Sequence, residues 1–143
     1  MYSKILAPVD LAYPDTAKKM VAVAKALADT GKSTITVLNV IPDLPGYVAA
    51  ELPTSITDKI HSDAIANLKT IASELSLTDS CDLLLRSGRP HSQILQAADE
   101  IDADLIVIAS HQPGLEDYLL GSVAGKVVRH AKCSVLVERS AAK

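Results

Sequence analysis

The chain reads as an α/β protein, a Rossmann-like, doubly wound parallel sheet of five strands in the order 3-2-1-4-5 with four helices, forming a single domain over residues 1–143. Three observations carry this expectation. Short aliphatic runs alternate with longer helical patterns along the whole sequence, which argues for a parallel sheet covered by helices on both faces. The runs are continuously apolar rather than alternating, as strands buried on both sides require. The length, 143 residues, suits one domain at roughly 150 residues per domain. Hydrophobic residues make up 48% with no Phe and no Trp, so the core is aliphatic.

The first strand is KILAPV, Lys4 to Val9, followed by the punctuation Tyr13-Pro14-Asp15. Thr16 to Thr30 puts Met20, Val23, Ala24 and Leu27 on one helical stripe, with Gly31 as its expected C-cap. Ser33 to Ile41, β-branched and bounded by Pro42, is the second strand. Pro42 to Pro53 holds three prolines and a glycine and is expected to be a long loop lying over the surface or a partner. Thr54 to Leu75 follows as a helix with Ile56, Ile60, Ala64, Leu68 and Ile71 in register. The remaining alternation is strand Cys81 to Gly88, helix Pro90 to Ile101, strand Ala103 to Ser110, helix Ser122 to His130 and strand Cys133 to Glu138.

Composition excludes several functions. A net charge of −3 and the absence of Phe and Trp leave neither a basic footprint nor a stacking platform, so no nucleic-acid partner is expected. The start MYSKILAPVD lacks the long apolar segment of a secretory signal, and no apolar run approaches the ~20 residues of a membrane span. A cytoplasmic protein is therefore expected. Cys81 and Cys133 lie far apart in apolar runs and read as small hydrophobes rather than a disulfide or metal pair. The dispersed histidines (His61, His91, His111, His130) show no ligand spacing, so no metal site is expected.

In a doubly wound sheet, ligands sit beyond the carboxyl ends of the strands where the strand order reverses. That places the end of the first strand, Pro8-Val9-Asp10, beside the end of the fourth, Ala109-Ser110-His111-Gln112. Asp10 could accept hydrogen bonds from a ribose diol, or serve only as a turn residue. Gly121-Ser122 opens the last helix, where free N–H groups and the positive dipole end favour an anion, or where Ser122 simply caps. GSVAGK is not a Walker loop, because three residues rather than four separate Gly121 from Gly125 and Lys126 precedes Val. Neither G-x-G-x-x-G after the first strand nor G-x-S-x-G occurs, and no nucleophile–base–orienter set stands out. Arg89, after the third strand, is a further candidate phosphate contact.

ILAPVD, LLLRSGRP, DLIVIASH and above all LLGSVAGKVVRHAKCSVLVE together resemble the universal stress protein family, most closely its F/G-type bacterial branch, over essentially the whole chain. The resemblance implies a five-stranded parallel sheet and a homodimer or tetramer, with the last strand, Cys133 to Glu138, at the interface. It implies ATP, with or without Mg²⁺, as ligand of the members that carry G-x2-G-x9-G-[S/T], whereas members without those glycines do not bind it. Carried over by position, Pro8, Val9 and Asp10 would line the adenosine site with Asp10 on the ribose, and Val40 would meet the adenine. Ile108, Ala109, His111 and Gln112 fall on the strand end and its loop, and Gly121, Ser122 and Val123 on the phosphate-binding end. This chain departs from the pattern: Ala109 and Gln112 replace the first two glycines, and the spacing to Gly121 is one residue shorter. Two readings stay open, an ATP-binding regulatory protein with at most slow hydrolysis, and a nucleotide-independent stress or interaction module acting through protein partners.

Overall fold

Five parallel strands form one sheet in the order β3-β2-β1-β4-β5, in a computed structural model that describes residues 2–29, 31–43, 45–110 and 121–139. The strands are β1 (Lys4–Val9), β2 (Thr34–Ile41), β3 (Cys81–Ser87), β4 (Leu105–Ala109) and β5 (Ser134–Glu138). The helices are α1 (Pro14–Leu27), α2 (Gly46–Ala49), α3 (Thr54–Glu74), α4 (Pro90–Glu100) and α5 (Ser122–His130). The expected strand order holds. The helix count is five among the described residues rather than four, because one turn, α2, winds inside the expected Pro42–Pro53 loop between Pro45 and Pro53.

The continuous apolar strands resolve into two interleaved alternations, since successive side chains leave opposite faces of a strand. From β1, Ile5, Ala7 and Val9 join Met20 and Val21 of α1 and Leu68 and Ile71 of α3 in one core layer. Leu6 points the other way and joins Ile94 and Ala97 of α4 and Ala124 and Val127 of α5. β4 repeats the division, with Leu105 and Val107 in the first layer and Ile106 and Ile108 in the second. Ile5, Leu6 and Ile106 are wholly buried, and burial of each such side chain stabilises the fold by about 1.5–3 kcal/mol. Alanines at the contact positions, Ala17 and Ala24 on α1 and Ala97 and Ala124 on α5's neighbour and α5 itself, let the helices lie close to the sheet.

Two sequence expectations are corrected. Gly31 does not cap α1, which ends at Leu27; Ala28 leaves the helix in an extended conformation and bridges to Tyr2. Gly31, at φ +77°, instead serves the turn into β2. Ile56 and Ile60 lie on the expected apolar stripe of α3 yet are 43% and 42% exposed. The reason is length. A helix of 21 residues spans about 30 Å, longer than the strands it covers, so only its second half, from Ala64 onward, reaches the core.

The amino edge of the sheet is tied by side chains. Asp104, just before β4, accepts the N–H of Ser3 at 2.7 Å and that of Lys4 at 3.0 Å, while its own N–H donates to Lys4 O at 2.9 Å. The Ser33 hydroxyl donates to Tyr2 O at 2.6 Å and accepts the Asp29 N–H at 2.8 Å.

Candidate functional site

Strand order reverses between β1 and β4, and the carboxyl ends of these strands open into a cleft of about 350 Å³. Its floor is apolar, formed by Pro8, Val9, Leu38, Val40, Ile108 and Ala109. Asn39, buried between Leu38 and Val40 of β2, donates from Nδ2 to Val9 O at 3.1 Å and so fixes the end of β1 from its neighbour β2. The chain then turns sharply. Asp10 Oδ1 accepts the Ala12 N–H at 2.9 Å and Asp10 O accepts the Tyr13 N–H at 3.1 Å, so its exposed carboxylate both holds the turn and lines the cleft. The turn and ribose readings of Asp10 are compatible, because a carboxylate has about four acceptor positions.

Across the cleft stands the start of α5. Its N-cap is Gly121, with φ −62° and ψ 159°, and among the described residues no side chain caps the helix, so first-turn N–H groups face the cleft. Ser122 is thus the first helical residue rather than the cap. The Gly121 N–H is itself engaged, donating to Ser110 O at 2.6 Å, while the Ser110 N–H donates to Glu138 O at 3.0 Å. Ser110 therefore stitches the ends of β4 and β5 to α5. Its hydroxyl is fully buried in the cleft wall and has no hydrogen-bond partner among the described residues.

The third wall is the start of α4, where Pro90 and Ile94 line the cleft. Gly88 makes the approach possible. It sits at φ +140°, and a Cβ there would stand 3.0 Å from the Gln93 side chain. Arg89 is the N-cap residue of α4 and His91 its second residue, again with no side-chain cap. Partial burial, then the like charges of Lys126, Arg89 and His130, hold the His91 imidazole below its ordinary range. Burial likewise raises both half-buried thiols, Cys81 and Cys133, which are free. Among the described residues no group of three His, Cys, Asp or Glu side chains is placed to hold a metal ion. None of the helices among them is long and apolar enough to cross a membrane.

The structure brings Pro8, Val9, Asp10, Val40, Ile108, Ala109, Gly121, Ser122 and Val123 to this one cleft. His111 and Gln112 lie outside the described residues. Sequence reasoning named Ser110 only as part of the strand-end stretch and missed Asn39, whose signal was a polar residue between Leu38 and Val40. It also missed Tyr13 and Thr16, which reach the cleft from the start of α1 and carried no signal beyond helix position.

Fold and cleft define a class, the doubly wound α/β domain with an open site at the carboxyl edge between its first and fourth strands. Within that class, the model of the "Universal stress protein family" matches residues 1–139, and the chain belongs to this family. It is 32% identical over 147 residues to Universal stress protein G of Shigella flexneri, an alignment covering 97% of this chain and 100% of that one. Among solved structures it is similar to hypothetical protein MJ0577, with a TM-score of 0.83 and 27% identity over 100% of this chain and 99% of that one. A universal stress protein in complex with cAMP shares the fold, with a TM-score of 0.63 and 23% identity over 97% and 98% of the two chains.

Proposed function

We propose that this member of the universal stress protein family is an ATP-binding regulatory protein whose nucleotide lies in the cleft between the ends of β1 and β4. The observation that carries the reading is the cleft itself, apolar on the β1 side and lined opposite by the uncapped start of α5. An adenine packs against Val9 and Val40, the ribose meets Asp10, and phosphates reach the N–H groups of Ser122 and Val123. At about 350 Å³ the cleft is near the lower end of small-molecule sites, which run about 300–1,000 Å³, so the charged end of a nucleotide faces the open rim. Any Mg²⁺ arrives with the nucleotide, on its phosphates. Output is assembly or conformation rather than turnover, in a cytoplasmic homodimer or tetramer joined through the exposed edge of β5.

A second reading rests on a separate observation. Tyr47 of α2 is 76% exposed and lies in the same segment of chain as the exposed Ile56 and Ile60 of α3, which suits a protein-binding role independent of nucleotide. Equilibrium dialysis of the full chain against ATP separates the two. The first reading expects saturable binding that Gly121→Val weakens at least tenfold while the circular dichroism stays unchanged. No saturable uptake at millimolar ATP overturns it in favour of the second.

A further inference from the structure

The chain carries more acid than base, 17 Asp and Glu against 14 Lys and Arg, yet cations gather beside the cleft. Ser122 and Lys126 lie four residues apart on α5 and so share one stripe along the helix, both exposed, while His130 at the far end of the helix lines a separate cavity with Asp99 and Asp102. The stripe starts in the cleft, where Ser122 is part of the lining. On α4, Arg89 and His91 bracket Pro90, which lines the same cleft, and α4 and α5 pack side by side. Among the described residues Arg89 and Lys126 have no acidic partner, unlike Arg86 further along, which pairs with Glu100. Like charges repel, and an anion seated among these cations offsets that repulsion.

Two further features point to such an anion. Among the described residues neither helix has a side-chain cap, so two positive dipole ends add to the cations. The buried Ser110 hydroxyl, which has no partner among the described residues, sits in the cleft wall where its own carbonyl holds Gly121.

We propose that Arg89, His91 and Lys126 form a subsite at the rim of the cleft for the outer phosphates of its ligand, making the protein selective for nucleoside polyphosphates over monophosphates and cyclic monophosphates. This rests on the nucleotide reading above and extends it from a nucleotide to a class of nucleotide. An α-phosphate reaches the start of α5, which is available to AMP and ATP alike. The β- and γ-phosphates continue outward between α4 and α5, where a cyclic monophosphate has nothing to offer. Arginine suits the outer position, since its fork of donors binds phosphate oxygens in pairs.

His91 supplies an internal reporter. It faces Lys126 and His130 from α5 and Arg89 from its own helix, with the Ser92 hydroxyl 3.4 Å from Nε2. A polyphosphate seated among these cations favours the protonated imidazole, so the His91 titration moves to higher pH when ATP binds and is nearly unmoved by AMP.

The test measures binding of ATP, ADP, AMP and cAMP to the full chain by calorimetry, alongside proton NMR titration of the histidines. The wild-type protein is expected to bind ATP about tenfold or more tightly than AMP, the difference shrinking as salt is added. The double variant Arg89→Gln/Lys126→Gln is expected to bring ATP down to the affinity of AMP and to leave AMP unchanged. Lys69→Gln, an exposed position on α3, is expected to change neither. Equal affinity for AMP and ATP in the wild type, or loss of both in the double variant, overturns the subsite and leaves the nucleotide reading standing. Absence of binding by every nucleotide overturns both.

Discussion

The two edges of the sheet treat their polar groups differently. At the amino edge Asp104 takes the N–H groups of Ser3 and Lys4, and the Ser33 hydroxyl links Asp29 to Tyr2, so donors and acceptors close on one another. At the carboxyl edge, among the described residues, α4 and α5 begin without side-chain caps, the Ser110 hydroxyl has no partner, and Arg89 and Lys126 face no acid. Both edges belong to the same strands and share the same two aliphatic layers. The difference is therefore not one of packing. The amino edge closes its polar groups on one another, whereas the carboxyl edge, among the described residues, leaves a hydroxyl and two cations without a protein partner.

The largest expected effect tests the amino edge. Asp104→Ala removes two hydrogen bonds to an ionised acceptor and leaves two N–H groups to water, for a loss of about 2 kcal/mol in urea unfolding. ATP affinity should not change. A variant that lost affinity as well would break the division between the edges. Next comes Asn39→Leu, the one carboxyl-edge substitution expected to cost stability, by about 1.5 kcal/mol, because it removes a buried hydrogen bond to Val9 O. Since Asn39 positions the end of β1, the same variant should also bind ATP a few-fold more weakly, measured by dialysis. Asp10→Ala should do the converse, lowering ATP affinity about tenfold, or about 1.4 kcal/mol, while unfolding shifts by less than about 1 kcal/mol. Its turn is exposed, and water can take over the Ala12 N–H.

How much of this was legible beforehand follows from what local pattern can carry. The strand order and the two-sided burial were readable because Ile5 to Val9 and Leu105 to Ile108 are aliphatic without interruption, which only a sheet covered twice explains. The cleft was readable in outline, because a doubly wound topology dictates where strand ends meet. Ile56 and Ile60 misled, since periodicity reports a face but not whether the sheet extends far enough to cover it. Gly31 misled for a similar reason: the bridge from Ala28 to Tyr2 ends α1 early, and that contact joins residues 26 apart in sequence. The cationic rim was legible only as Arg89 in isolation. His91 and Lys126 lie 35 positions apart and come within electrostatic reach through the packing of α4 on α5, which no local pattern encodes.

The smallest expected effect concerns pH and isolates the amino edge without removing it. Burial pushes the Asp104 carboxyl up, but the N–H groups of Ser3 and Lys4 outweigh this and hold it below its ordinary value. Because the folded carboxyl titrates below the unfolded one, ionisation favours the fold. That contribution is complete above the unfolded value near about 4 and is lost as pH falls through the folded one. Asp104→Asn keeps an acceptor oxygen but cannot ionise, so it carries no such dependence. Urea midpoints taken from pH 6 to pH 2.5 should fall more steeply for the wild type than for Asp104→Asn, and the two curves should converge at the acid end. Parallel curves would mean that the two N–H groups gain nothing from the charge they face. In that case the closure of the amino edge would be a matter of shape alone, and the contrast with the carboxyl edge would rest on the cations and helix termini at the cleft.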